Sequence, residues 1–117
     1  MGKRVLIVDD SSMMRKMIAK ALSDKGHVIV GEAKNGLEAI ALYKSLKPEA
    51  VTMDITMREM DGFAAAEKIM EFDAQAKIIF VSNLDAEKYG KEARRIGAVG
   101  FVNKHGTEDF LALLESL

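Results

Sequence analysis

Val5-Leu6-Ile7-Val8-Asp9-Asp10 (VLIVDD) is an apolar, β-branched run without polar alternation that ends in two adjacent carboxylates. Such a run reads as a strand covered on both faces. The pattern recurs at Val28-Ile29-Val30, Ala50-Val51-Thr52-Met53, Ile78-Ile79-Phe80-Val81 and Val99-Gly100-Phe101-Val102. Between these runs the apolar residues change to helical period. Met14, Met17, Ile18, Ala21 and Leu22 form one stripe, Ala39, Ile40, Tyr43 and Leu46 a second, and Phe110, Leu111 and Leu114 a third. Five strands alternating with five helices, at spacings of about twenty to thirty residues, are what repeated right-handed βαβ crossovers require. The expected fold is α/β, a three-layer sandwich doubly wound around a parallel five-stranded sheet.

Helix punctuation agrees. Asn35 with Glu38 three residues later resembles a capping box, and Asp85 and Thr107 are expected N-caps. Gly26 and Gly97 stand where a left-handed residue would close the first and fourth helices. Pro48, the single proline, follows the second helix and cannot continue it.

The 117 residues suit one domain, with no linker, repeat or low-complexity tract. A chain of this size buries roughly two-thirds of its unfolded surface and needs no disulfide or structural metal. The absence of cysteine removes thiolate metal sites and thiol nucleophiles. With 17 Lys+Arg against 18 Asp+Glu, no global basic field exists to draw nucleic acid. The apolar runs fall far short of the roughly 18 residues that span a membrane, and no signal-peptide pattern precedes Asp9. The expectation is a cytoplasmic protein without membrane insertion.

In an open parallel sheet, ligands collect beyond the carboxyl ends of the strands. The residues that follow the apolar runs are Asp9-Asp10, Asp54, Ser82-Asn83 and Asn103-Lys104. Carboxylates placed together oppose one another's ionisation, and a hard divalent cation relieves that cost. Asp9, Asp10 and Asp54 suit Mg²⁺, with which they and Lys104 balance to zero formal charge. A carboxylate is also a nucleophile for phosphoryl transfer, a reaction that asks mainly for positioning and charge stabilisation. In this reading Asp54 attacks, while Lys104 and Ser82 hold phosphoryl oxygens.

VLIVDD (Val5 to Asp10), VTMDITMREMDG (Val51 to Gly62), Ser82 and Lys104 together resemble the receiver domain of two-component response regulators, most closely the stand-alone, CheY-like chemotaxis members. The resemblance runs in order and spacing over the whole chain, so residues 1–117 are taken as one receiver domain. It implies strand order 2-1-3-4-5, a flavodoxin-like topology. It further implies that Asp54 is the phospho-acceptor and that Asp9, Asp10 and the backbone carbonyl of Thr56 join Asp54 in holding Mg²⁺. Ser82 would be the switch hydroxyl, Phe101 the switch aromatic and Lys104 the phosphate-contacting lysine, with Thr56, Asn83 and Leu84 modulating the phosphate pocket. The implied partners are a histidine kinase and a downstream protein bound through helix 4, strand 5 and helix 5. The protein would then be a signalling switch rather than an enzyme.

The sequence departs from the family's pattern at Arg58 and His105, where proline is usual, and at Asn83, where the residue is usually smaller. A cis bond before a non-proline residue costs about 2.5 to 4 kcal/mol, so a trans Lys104-His105 bond is expected. These departures motivate an alternative, an atypical receiver that binds proteins independently of phosphorylation. A Mg²⁺-dependent phosphohydrolase is disfavoured because Thr56 stands where such enzymes usually carry a second Asp. A flavin site is disfavoured by the acidic loop after strand one. His27 and His105 are read as surface residues, Met13, Met14 and Met17 as core filler, and Lys88, Lys91, Arg94 and Arg95 as a solvated face.

Overall fold

The computed structural model describes residues 2–117, apart from the side chain of Thr107. The element order is β1 (Arg4–Val8), α1 (Ser12–Asp24), β2 (Val28–Ala33), α2 (Gly36–Leu46), β3 (Ala50–Met53), α3 (Gly62–Phe72), β4 (Ile78–Ser82), α4 (Ala86–Ile96), β5 (Gly100–Asn103) and α5 (Thr107–Glu115). The strands form one sheet in the order β2-β1-β3-β4-β5, and every neighbouring pair is parallel. This is the expected architecture.

Because strand side chains alternate between faces, the apolar runs feed two cores. Leu6, Val8, Val51, Met53, Ile78 and Phe80 pack with Ala39, Tyr43, Ala65, Ala66, Ile69, Ala93 and Ile96 of α2, α3 and α4. Val5, Ile7, Ile79 and Val81 pack on the opposite face with Ile18 and Leu22 of α1 and Phe110 and Leu114 of α5. Two-sided burial holds for β1, β3 and β4 beyond Arg4, but not for the outer strands. Val28 of β2 is 54% exposed, and β5 is half-buried or exposed throughout. These are the sheet's edges, where helical cover runs out.

The caps are local and mostly where the sequence places them. Asn35 Oδ1 accepts the Glu38 N–H at 2.9 Å, while the Glu38 carboxylate reaches back to the Lys34 N–H at 3.0 Å, one residue earlier than a standard capping box. Asp85 caps α4 through the Glu87 N–H at 2.9 Å. Gly26 and Gly97 have φ of 85° and 103°, the left-handed conformation expected of them. Gly106 takes the cap position of α5, and the expected Thr107 cap lies outside the described side chains.

Two expectations need correction. Met17 is 56% exposed and Met13 70% exposed, because α1 turns Ile18 and Leu22 to the sheet and these two methionines outward. His27 is buried rather than on the surface, its Nδ1 accepting the Lys3 N–H at 3.0 Å where the start of β1, the end of α1 and the end of α5 meet. The basic residues of α4, Lys88, Lys91, Arg94 and Arg95, are exposed as expected, and Arg95 pairs at the surface with Glu92 on its own helix and with Glu67 of α3. His105 is exposed, as expected.

Candidate functional site: an acidic cluster at the strand ends

The parallel sheet delivers its polar strand ends to one edge. Asp54 directly follows β3, and its backbone N–H donates to the Val8 carbonyl at 2.9 Å, which ties the end of β3 to the end of β1. Asp9 follows β1, and its N–H donates to the Ala33 carbonyl of β2 at 3.0 Å. The ladder thus fixes both carboxylate-bearing backbones before any side chain is considered. Ligand oxygens of Asp9, Asp10 and Asp54 all lie within 4.8 Å of one another, with Asp9 and Asp54 buried and Asp10 exposed.

Lys104, just beyond β5, reaches into this cluster. Its Nζ lies 3.1 Å from Asp9 Oδ2 and 3.5 Å from Asp54 Oδ1. The Asp9 contact is a charge pairing, since the buried Oδ2 has no partner in hydrogen-bonding geometry. No cis peptide bond occurs among the described residues, so the Lys104-His105 bond is trans, as expected. The loop is instead shaped by the Lys104 N–H donating to the Ser82 carbonyl at 3.2 Å and the His105 N–H to Asn103 Oδ1 at 2.8 Å.

The electrostatics follow from burial and like charge. Burial, and then the charge of Asp9, push the Asp54 carboxyl up to about 6, against the opposing pull of Lys104 and the Ile55 N–H. Burial works against the charged form of Lys104, but its contact with Asp9 and the negative charges of Asp54 and Asp9 outweigh this and raise its pKa above the ordinary lysine value. One lysine does not neutralise three carboxylates, so the cluster retains negative charge. An all-oxygen, acidic donor set whose buried Asp9 Oδ2 has only the charge of Lys104 beside it and no hydrogen bond fits a hard divalent cation.

Asp10, Asp54, Thr56, Ser82, Asn83, Leu84 and Lys104 line a cavity of about 180 Å³. Ser82 is buried and its Oγ accepts the Leu84 N–H at 3.1 Å, so the hydroxyl is held at the cavity wall. Thr56 and Asn83 are exposed at the mouth. Phe101 stands apart from this set. It is paired in register with Phe80 and half-buried against the core beneath α4.

Other contributors are not evident from sequence reasoning. Ser11 caps α1 by accepting the Met14 N–H at 3.2 Å, while its own N–H donates to Asp9 Oδ1 at 2.9 Å and orients that carboxylate. Arg15 donates to the Asp9 carbonyl at 2.6 Å and pairs with Glu32, clamping the loop after β1. Asp61 caps α3 through the Ala64 N–H at 2.8 Å. An Asp three residues ahead of a helical apolar pattern was the available signal for this last contact. Arg15 had no signal, because its contact depends on how α1 leaves the sheet.

The family model for the response regulator receiver domain matches residues 5–115, and the chain belongs to that family. Its relatives include the chemotaxis protein CheY of Thermotoga maritima, 49% identical over 89% of this chain and 87% of the relative. CheY of Bacillus subtilis is 45% identical over the same shares of the two chains. Among solved structures, a CheX-CheY-BeF3-Mg complex from Borrelia burgdorferi contains a chain 36% identical, matching with a TM-score of 0.92 over 97% of this chain and 87% of that one. The response regulator domain of Thermotoga maritima CheB is 33% identical, with a TM-score of 0.91 over 99% and 96% of the two chains. The family and the acidic cluster together support phospho-accepting signalling by a CheY-like receiver domain.

Proposed function

We propose that this chain is a response regulator whose Asp54 accepts a phosphoryl group from a histidine kinase in a Mg²⁺-dependent reaction. The observation that carries this reading is Lys104 Nζ lying between Asp9 and Asp54 in a cavity also lined by Ser82. The Asp54 carboxyl, at about 6, is mostly ionised at neutral pH and is therefore nucleophilic without a general base. Its oxygen forms a bond to phosphorus as the phosphorus–nitrogen bond of the phosphohistidine breaks, and the departing imidazole takes its proton from solvent. Lys104 meets the charge on the transferring group, and the Ser82 hydroxyl, whose Oγ accepts the Leu84 N–H, donates its own proton to a phosphoryl oxygen. Asp9, Asp10, Asp54 and the Thr56 carbonyl would hold Mg²⁺, which when bound supplies positive charge against the phosphoryl oxygens.

The readout is a bistable element biased by these contacts. Movement of Ser82 towards the phosphoryl group opens space for Phe101, and the face made by α4, β5 and α5 changes its affinity for a protein target. The product stays on the protein's own side chain, so the domain is a switch and not a turnover enzyme. Its setting is the cytoplasm, beside a kinase, with no membrane insertion and no nucleic-acid contact by this domain.

Beryllium fluoride, a phosphoryl mimic, tests this with Mg²⁺ by amide chemical shifts. The expected result is shifts at Ser82, Leu84, Phe101 and along α4. Shifts confined to the loops around Asp9 and Asp54 would overturn the α4-β5-α5 readout. Leu84 offers a second test, because it is half-buried at the cavity where water would approach. Leu84→Ala and Leu84→Glu are expected to change the half-life of the phosphorylated state several-fold, and equal half-lives would contradict that placement.

A further inference from the structure

Asp10 also lines a second cavity, of about 400 Å³, whose other walls are Lys34, Asn35, Arg58 and Glu59. Its walls are fixed by backbone hydrogen bonds. The Met60 N–H donates to the Arg58 carbonyl at 2.8 Å, closing a tight turn around Glu59, which sits at φ 70°. That turn is pinned by the Gly36 N–H on the Met60 carbonyl at 3.2 Å and the Gly62 N–H on the Ile55 carbonyl at 2.7 Å. On the facing wall, Lys34 and Asn35 are held by the cap of α2.

Lys34 and Arg58 are thus two cations presented to one cavity, which adjoins the Asp54 cavity through their shared wall residue Asp10. Among the described residues, neither is paired with a carboxylate. The N-terminal end of α2 at Asn35 adds partial positive charge to the same wall. Glu59 opposes them. An anion arriving from this side passes Glu59 on its way to Asp10, and the cations on the rim offset that glutamate's repulsion.

We propose that Lys34 and Arg58 form an anion-receiving vestibule of the Asp54 site that favours small phosphodonors carrying full double negative charge over less charged ones. The proposal rests on Asp54 being the acceptor. Both side chains are solvent-exposed, so they act by steering rather than by tight binding, and added salt screens them.

The test is the initial phosphorylation rate of the full chain, read by intact mass at fixed Mg²⁺. Acetyl phosphate is compared with phosphoramidate, which is less negative at neutral pH, each at low and high salt. The double variant Lys34→Gln/Arg58→Gln is expected to react roughly three- to tenfold more slowly with acetyl phosphate at low salt. The loss should be smaller with phosphoramidate and should fade in high salt. Glu59→Gln leaves the turn intact and is expected to act in the opposite direction, raising the acetyl phosphate rate. Equal losses with both donors, a loss that persists in high salt, or a slower Glu59→Gln would each overturn the vestibule. If the unsubstituted chain takes a phosphoryl group from neither donor, the Asp54 reading itself fails and the vestibule with it.

Discussion

Gly62→Ala is expected to destabilise the protein by about 3 kcal/mol or more, the upper end of what overpacking does. A Cβ at Gly62 would stand 2.0 Å from the Asp54 carbonyl oxygen and 2.9 Å from both the Asp54 carbonyl carbon and Ile55 Cα. All three are backbone atoms, so no side chain can rotate away. The helix cannot retreat either, because the Gly62 N–H donates to the Ile55 carbonyl at 2.7 Å and starts α3 there. Gly62 is needed for close approach, and the segment it would displace is the one that carries Asp54. Gly26→Ala is the matched control. Its φ of 85° is unfavourable for alanine, but open space surrounds it, so the cost is about 1 to 2 kcal/mol. Urea unfolding of the two variants measures the difference. A Gly62→Ala protein as stable as the Gly26→Ala protein would contradict this account of the loop.

Asp54→Asn is expected to make the metal-free protein more stable at neutral pH, although it removes the proposed acceptor. Burial and Asp9 raise the folded-state Asp54 carboxyl from an ordinary 3.8 to about 6. The folded state therefore binds this proton more tightly than the unfolded chain does, and stability falls as pH rises from about 4 to about 6. Above that window the full cost applies, on the order of 3 kcal/mol at about 1.4 kcal/mol per tenfold change in proton affinity. The value of about 6 already includes the pull of Lys104 and of the Ile55 N–H, so the neutral amide is expected to gain up to about 3 kcal/mol at pH 7.5 in chelator. The gain should shrink towards pH 4, where the folded wild-type carboxyl is already protonated. Added Mg²⁺ should stabilise the unsubstituted protein more than the variant. Chemical denaturation across this pH range decides the matter, and a variant less stable than wild type at pH 7.5 would contradict a strained, metal-free acidic cluster.

Much of this structure is legible in the sequence because strand and helix periods are local. VLIVDD gives β1 and two of the three clustered carboxylates, and the run ending at Met53 places Asp54 beside them. The strand order is not local, and it came from the family resemblance. What local pattern hides is which elements stand at the edge. Val28-Ile29-Val30 and Val99-Gly100-Phe101-Val102 read like the central strands, but the topology gives each a neighbour on one side only. His27 looks like a polar residue after a helix, and it becomes buried because the start of β1 and the end of α5, far apart in sequence, close over it. Gly62 lies within the recognisable VTMDITMREMDG stretch, yet only three-dimensional packing shows that its missing side chain makes room for the Asp54 backbone.

The central claim is that Asp54 accepts a phosphoryl group with the help of a divalent cation held by Asp9 and Asp10. Intact-mass spectrometry after incubation with acetyl phosphate, with and without Mg²⁺, tests it directly on the native protein and on Asp54→Asn. The account predicts one added phosphoryl group that requires both Mg²⁺ and Asp54. A folded protein that gains no phosphoryl group, or gains one equally in Asp54→Asn, would contradict it.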